Sequence, residues 1–552
     1  MMILTHHGIN SFLDKVLIGD KYYKFVQIGD QTWLAENLAL KTTNSVAREG
    51  HPDFGLYYPY TDIDEIETLV DGWHVPTEAE IRKLLGSNTP DNAHRVQSTN
   101  YKSVWPDATN NTDFSAVPAA HIDDTNLNRA LLWTYAGYAG ILADSIEVIN
   151  SPSSSSLSFC VRLIKDTDPV EIGGKKYKTA KIGDKIWTIE NLDYPVDGAV
   201  YYNNDPTQSY GLLYSPTAID ALDGIVEGWH VPYAGEIDEL SDYASDNSKM
   251  LKSRTSWATN PGTNNYRFDA KAGGSYNSSS FSNKGACGLF YSQTKNSSNM
   301  NYRMNLADSS NEIVRGYVNN NNCLSVRLVK DTEPVEIGGK KYKTQKIGSQ
   351  LWMTENLDYI FEGLNVGGAT LQTDIHAWYF NNDANQSEGL LYNGYAATYL
   401  AEHPELLPEG WRVPMASDFG KLQVAVGGAN TSGTMLKNPG TMNGINYYGF
   451  NGIATGIVRS NGSFTDKDIY LRMWTTTMSQ SDETEQLFLT LESDKNQTTV
   501  VSFANDRKVA YTIRLVKDLS SSDSKGPVDY DDEKEIIDEK EPVKDETIEN
   551  KR

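Results

Sequence analysis

Three Glu-Asn pairs, Glu36-Asn37, Glu190-Asn191 and Glu355-Asn356, are the residues of this 552-residue chain best placed for carboxylate chemistry. General acid-base hydrolysis needs two carboxylates at a defined separation, and no second acidic motif recurs at a fitting place beside all three. The structural reading leads: each Glu is expected to form an ionic fork with Arg162, Arg327 or Arg514, holding first strands to last, while Asn closes a turn. His74 and His230 are candidates for metal or proton chemistry, but Arg412 replaces them in the third copy, which weighs against a shared role. His6 and His7 are neighbours in an irregular stretch and rarely supply a complete ligand set. No metal site and no cofactor are expected.

These residues sit in passages that occur three times. IGDQTWLAENL, IGDKIWTIENL and IGSQLWMTENL surround Trp33, Trp187 and Trp352; GWHVP, GWHVP and GWRVP follow; CVRLIKD, SVRLVKD and TIRLVKD close on Asp166, Asp331 and Asp518. The closing residues are 165 and then 187 positions apart, far beyond a solenoid repeat and suited to a globular domain. The expected division is an N-terminal docking segment 1–16, module one 17–166, module two 167–331, module three 332–518 and an acidic disordered tail 519–552. Tandem copies favour binding or structural roles, because avidity and length grow with copy number whereas one active site suffices for catalysis.

Each module must position its motifs with few elements. In VEIGGKKYKTAKIGDKIWTIENL, Gly173-Gly174 and Gly183-Asp184 mark tight hairpins between three short antiparallel strands, as do Gly338-Gly339 and Gly348-Ser349 in module three and Gly19-Asp20 in module one. After GWHVP, TEAEIRKLL predicts a short helix with a Thr77/Glu80 capping box and Ile81, Leu84 and Leu85 inward. Module two keeps Glu236, Ile237 and Leu240, and module three keeps Asp418, Phe419 and Leu422, behind the poor caps Tyr233 and Met415. A long Gly-, Asn- and Ser-rich stretch then reads as irregular loop, the usual place for recognition. Trp33, Trp187 and Trp352, with Trp73, Trp229 and Trp411, are expected in the core.

Composition narrows the partners. A net charge of -24 disfavours nucleic acid and anionic membranes, which need clustered Lys and Arg. No apolar run is long enough for membrane insertion, and MMILTHHGINSFLDKV does not read as a signal peptide. Cys160, Cys287 and Cys323 do not recur between copies, so no disulfide framework is expected; Cys160 and Cys323 read as small apolar fillers, and a Cys287–Cys323 bridge stays open. From Leu519 on, 12 acidic residues face 6 basic ones, a composition that predicts disorder.

The ordered passages "IG…TWxxENL", "GLLY", "GWHVP" and "VRLVKD" resemble the Fibrobacter succinogenes major paralogous domain, in three copies from about Ile18 to Asp518. That family is common in Bacteroidota and their phages and is similar to C-type-lectin-like and formylglycine-generating-enzyme-like folds. The resemblance implies an α+β fold: three tandem C-type-lectin-like modules, each a small antiparallel sheet with flanking short helices and long loops. The EPN, QPD and WND motifs of calcium-dependent lectins are absent, and modules one and three, with one and no cysteine, lack the active-site cysteines that the oxidase relatives need. Structural calcium stays open.

Ligand contact is expected at the loops that differ between copies: Trp105, Tyr135 and Tyr138; Tyr276, Tyr291, Asn299, Asn301, Tyr302 and Tyr317; Tyr447, Tyr448 and Trp474. Tyr and Asn supply rigid amphipathic area and adaptable hydrogen bonds. Trp474, matched by Trp133, is the candidate closest to a core position. The expected function is non-enzymatic: a phage virion appendage or receptor-binding protein that recognises a host-surface glycan or protein. Its N-terminal segment would dock onto other virion proteins, and homo-oligomerisation stays open. The alternatives are a bacterial cell-surface adhesin and, further off, a polysaccharide depolymerase.

Overall fold

Glycine turns set the first sheet of each repeat. In the computed structural model, which describes residues 15–519 apart from 126, 150–156, 320, 367–375, 379–382, 480–484 and 504–506, Thr167–Ile172, Lys175–Ile182 and Lys185–Thr188 are antiparallel strands. Gly173, Gly174 and Gly183 at their turns have φ of 60°, 82° and 61°, a region that residues with a Cβ enter only at a cost. The closing strand Val329–Lys330 lies beside the third strand with Val329 opposite Trp187, and Trp229–His230 completes five strands. Repeat one builds the same order from Lys15–Ile18, Lys21–Ile28, Gln31–Leu34, Ile164–Lys165 and Trp73–His74. In repeat three Thr344–Ile347, Gln350–Met353 and Val516–Asp518 pair likewise, Arg412 bridges to Val516, and the first hairpin forms its own two-stranded sheet.

The helix after each GWHVP or GWRVP passage spans Glu78–Leu85, Ala234–Tyr243 and Ala416–Ala425, with Ile81, Leu84 and Leu85, then Ile237 and Leu240, then Phe419 and Leu422 buried. Thr77 Oγ1 accepts the Glu80 N–H at 3.2 Å, and the Glu80 carboxylate accepts the Thr77 N–H at 2.8 Å. Glu236 and Asp418 accept the corresponding N–H groups of Tyr233 and Met415 at 2.9 and 2.7 Å. Half of the capping box therefore persists where the cap side chain cannot contribute its own half.

The Gly-, Asn- and Ser-rich stretch is more regular than its composition predicts. Each repeat inserts a three-stranded antiparallel meander there: Ala130–Thr134, Gly137–Ile141 and Ile146–Ile149; Cys287–Lys295, Asn301–Ala307 and Ile313–Val318; Tyr470–Met478, Gln486–Glu492 and Thr498–Phe503. The central parts of the first strands are buried on both faces, so they lack the alternation that reveals a half-buried strand. The chain is thus a mixed α and β structure of many small antiparallel sheets.

Two main apolar clusters fill each repeat, one around Trp33, Trp187 or Trp352 and one that Trp73, Trp229 or Trp411 joins. All three cysteines are free, and Cys160 and Cys323 are buried. Among the described residues no helix is long and apolar enough to cross a membrane. His6, His7, the rest of the N-terminal segment and the tail from 520 lie outside the described residues.

Adjacent repeats touch through equivalent elements. Lys181 reaches Asp30 at 3.2 Å, and its counterpart Lys346 contacts Asp184. Arg267 pairs with Asp166 at 2.8 Å and Glu67 at 3.2 Å, while Asn265 donates to Glu78 at 3.4 Å. At the second junction Gln345 donates to Glu236 at 3.0 Å and the Tyr447 hydroxyl to Asp238 at 2.7 Å.

Candidate functional site

In an extended Glu-Asn dipeptide the two side chains point to opposite faces, so one of them turns inward. It is the asparagine. Asn37, Asn191 and Asn356 are buried, and their Oδ1 atoms accept from Arg162 at 2.7 Å, Arg327 at 2.7 Å and Arg514 at 2.7 Å. The expected Glu–Arg fork is absent at all three places. Glu36 accepts instead from Lys21 Nζ at 3.1 Å and the Lys24 N–H, and Glu190 and Glu355 accept the Lys178 and Lys343 N–H groups at 2.9 and 2.8 Å.

Main-chain carbonyls complete the guanidinium shells. Arg162 donates to Phe114 and Ser115, Arg327 to Phe268 and Asp269, and Arg514 to Phe450 and Asn451. Each guanidinium also lies over the Phe ring, at 4.3, 4.8 and 4.7 Å. Burial pushes the three groups down to about 9, 10 and 9, which leaves them charged at neutral pH. In repeat one, Glu36 and Asp53 both line a cleft of about 410 Å³, Glu36 held by Lys21 and Asp53 by the Tyr101 hydroxyl.

A separate set of acids recurs around His74, His230 and Arg412. His74 Nδ1 lies 2.6 Å from Asp166 and its Nε2 3.0 Å from Glu80; His230 lies 2.5 Å from Asp331 and 2.8 Å from Glu236. Arg412 spans Asp418 and Asp518 in the same way, at 2.9 and 2.6 Å. Burial opposes charge on His230, but Glu236 and Asp331 overcome it and hold the imidazole up at about 9. His74 is raised too: burial and Arg267 lower it, and Glu80 and Asp166 outweigh them. Glu80 is depressed to about 2, with burial opposing and His74 dominating the attraction. Both ring nitrogens therefore act as donors, and an arginine substitutes because it too is a cation donating in two directions. This is a clamp between closing strand and helix start.

The candidate contact residues divide by burial. Trp105, Tyr135, Tyr291, Asn301, Tyr302 and Trp474 are buried, so none offers a free loop surface. Trp105 donates to Asn128 O at 3.2 Å, Tyr291 to Asn322 O at 2.7 Å, Asn301 to Ser292 O at 3.0 Å and Trp474 to Tyr392 O at 2.7 Å. Tyr135 lies under the Arg254 guanidinium of repeat two. Tyr138 packs on Phe159. Tyr302, Tyr317 and Tyr447 form a ring cluster at the second junction, where Tyr448 also lies against Gly235. Apart from Trp105, which is buried in the stretch before the first meander, these positions belong to meanders and junctions that turn them inward. Tyr276 is half-buried, and Asn299 is exposed on a turn.

Tyr276 is part of a surface cluster that its sequence neighbours do not reveal. The hairpin Ser275–Asn277 with Ser280–Ser282 sets the Tyr276 ring 4.4 Å from Phe281, and Tyr202 lies 5.3 Å from Phe281. Lys284 stands over Tyr202 and Tyr210 at 5.5 and 5.6 Å and donates to Gln208 O. Tyr210 is 38% exposed, and the amides of Asn203, Gln208 and Asn283 lie exposed in the same loops. Half-exposed rings beside amides and an ammonium suit a ligand with apolar faces and hydroxyl edges.

Among the described residues one group could hold a metal ion: His94, Asp107 and Asp144, with ligand atoms within 4.8 Å of one another. Both aspartates are exposed, and no equivalent group recurs in repeats two and three among the described residues.

No curated protein and no solved structure matches the chain. Residues 175–330 and 346–517 each match the Fibrobacter succinogenes major domain, together more than half of the sequence, and the chain belongs to that family.

Proposed function

We propose that this chain is a non-enzymatic binding protein whose lectin-like modules form a stiff support, and that it recognises a surface glycan through the aromatic hairpin of repeat two. The observation that carries the reading is the half-exposed group Tyr202, Tyr210, Tyr276 and Phe281 beside Lys284. A pyranose ring offers an apolar C–H face for such rings and hydroxyls for Asn203, Gln208 and Asn283. The recurring Arg, Asn, His and carboxylate residues are engaged with one another, which supports a structural role for them. The setting we favour is a phage virion appendage that touches the surface of a host in the Bacteroidota; a bacterial surface adhesin would use the same contact.

The test is binding of the full chain to an array of bacterial capsular and outer-membrane polysaccharides, compared with the Tyr276→Ala/Phe281→Ala variant. Loss of two stacking rings is expected to weaken binding by about 100-fold, since each ring contributes on the order of 1–2 kcal/mol. Binding that survives the double substitution, with the fold intact by circular dichroism, removes this surface from the function. Detection of the chain on purified virions or on bacterial cells separates the two settings.

A further inference from the structure

We propose that the exposed end face of repeat three is the docking site of the chain's own acidic segment, residues 520–552. The equivalent faces of repeats one and two show what such a face is built to receive. Each consists of the turn after the second strand, the start of the helix and the closing Asp. Each is covered by the next repeat, which brings hydrogen-bond donors: Lys181, Asn265 and Arg267 at the first junction, Lys346, Gln345 and the Tyr447 hydroxyl at the second. The residues that take them are acidic: Asp30, Glu78 and Asp166, then Asp184, Glu236 and Asp238.

Repeat three has exchanged that chemistry. Ser349 stands where Asp30 and Asp184 stand; Ala416 replaces Glu78 as Ala234 does in repeat two, and Gly420 replaces Asp238 where repeat one has Arg82, so repeat three alone lacks an acid at all three places. Its remaining acids, Asp418 and Asp518, are bound by Arg412, with Lys421 3.2 Å from Asp518. Val424 is 79% exposed, and Met415 and Lys421 are exposed with it. Arg412 and Lys421 balance Asp418 and Asp518, so this face carries no excess of acid, while Lys517 alternates to the other side of the closing strand beside Gly410. A donor-rich partner finds few free acceptors here, whereas the apolar residues of a tethered segment find Val424 and Met415 exposed on the same helix and cap as the Lys421 ammonium.

The chain itself delivers such a segment to this edge. The Leu519 N–H donates to Ser349 O at 3.0 Å, so residue 520 starts beside the face. Residues 520–552 carry 12 Asp or Glu against 6 Lys or Arg, with Tyr530, Ile536 and Ile537 among the acids. Ten extended residues reach roughly 33 Å, so span does not limit contact. Tethering holds the segment at an effective concentration on the order of millimolar, which makes modest charge and apolar contacts sufficient.

The experiment is zero-length carbodiimide cross-linking of the full chain, made as an equal mixture of unlabelled and nitrogen-15 protein and read by mass spectrometry. The Lys421–Asp518 pair at 3.2 Å is the internal control. Cross-links from Lys421 to acids between 529 and 546 within one isotopic chain are expected. Val424→Asp, at a position too exposed to disturb the core, should cut their yield about tenfold while leaving the control unchanged. The control alone, links that join differently labelled chains, or links indifferent to Val424→Asp each overturn the proposal; mixed-label links point instead to a second copy on this face.

Discussion

Raising the pH should dissolve the His230 clamp and leave the arginine version untouched. His230 is held at about 9 because burial, which disfavours its charge, is outweighed by Glu236 and Asp331. A histidine whose folded pKa lies above its ordinary 6.5 stabilises the folded state fully below pH 6.5 and loses that contribution as pH rises through about 9. The difference corresponds to about 3 kcal/mol, an energy shared with the depressed Glu236 and counted once. The comparison protein is His230→Arg/Glu236→Asp, which copies the Arg412–Asp418–Asp518 arrangement of repeat three. Urea unfolding of both proteins between pH 6 and 10, followed by circular dichroism, gives two stability curves in which all other titrations cancel. The gap is expected to be constant to about pH 6.5 and then to shift by about 3 kcal/mol against the histidine protein by pH 10. Parallel curves across the range would show that His230 is neutral in the folded state, and the clamp argument would fail.

Other outcomes follow from the same contacts. Arg327→Met leaves the Asn191 oxygen and the carbonyls of Thr188, Phe268 and Asp269 without their donor, and should cost about 3–5 kcal/mol in urea unfolding. Arg327→Lys should recover less than half of that loss, because one ammonium cannot reproduce the fork. Arg267→Ala removes a buried guanidinium from Asp166 and Glu67, and calorimetry should show repeats one and two separating into two transitions; a single unchanged transition would argue against coupling through this pair. Lys346→Ala at the more exposed Asp184 contact should shift stability by less than about 1 kcal/mol, and a larger loss would mean that this ion pair carries the second junction.

Much of the scaffold was legible before any coordinates. Glycine pairs at fixed offsets fixed the hairpins, the Thr77/Glu80 box located the helix, and tryptophans inside repeated passages marked the cores. The partner of the recurring arginine is set by geometry and not by charge: it is the asparagine and not the glutamate. Glu36 is 38% exposed and Asn37 is buried, as the alternation of an extended chain requires, and carbonyl oxygens serve a guanidinium without any carboxylate. The His clamp left a partial signal: Arg412 in place of His74 and His230 weighs against a shared catalytic role, and the same substitution preserves a cation between two acids. The meanders were hidden by strands buried on both sides. The aromatic cluster could not be found by local reading, since Tyr202 and Phe281 meet only after the intervening chain folds.

The most direct test sets the surface against the motifs in one polysaccharide-array experiment. The account predicts that Tyr276→Ala/Phe281→Ala/Lys284→Ala abolishes binding by the folded chain, while Glu36→Gln/Glu190→Gln/Glu355→Gln binds as the parent does. Binding that survives the first set and is lost with the second would contradict it.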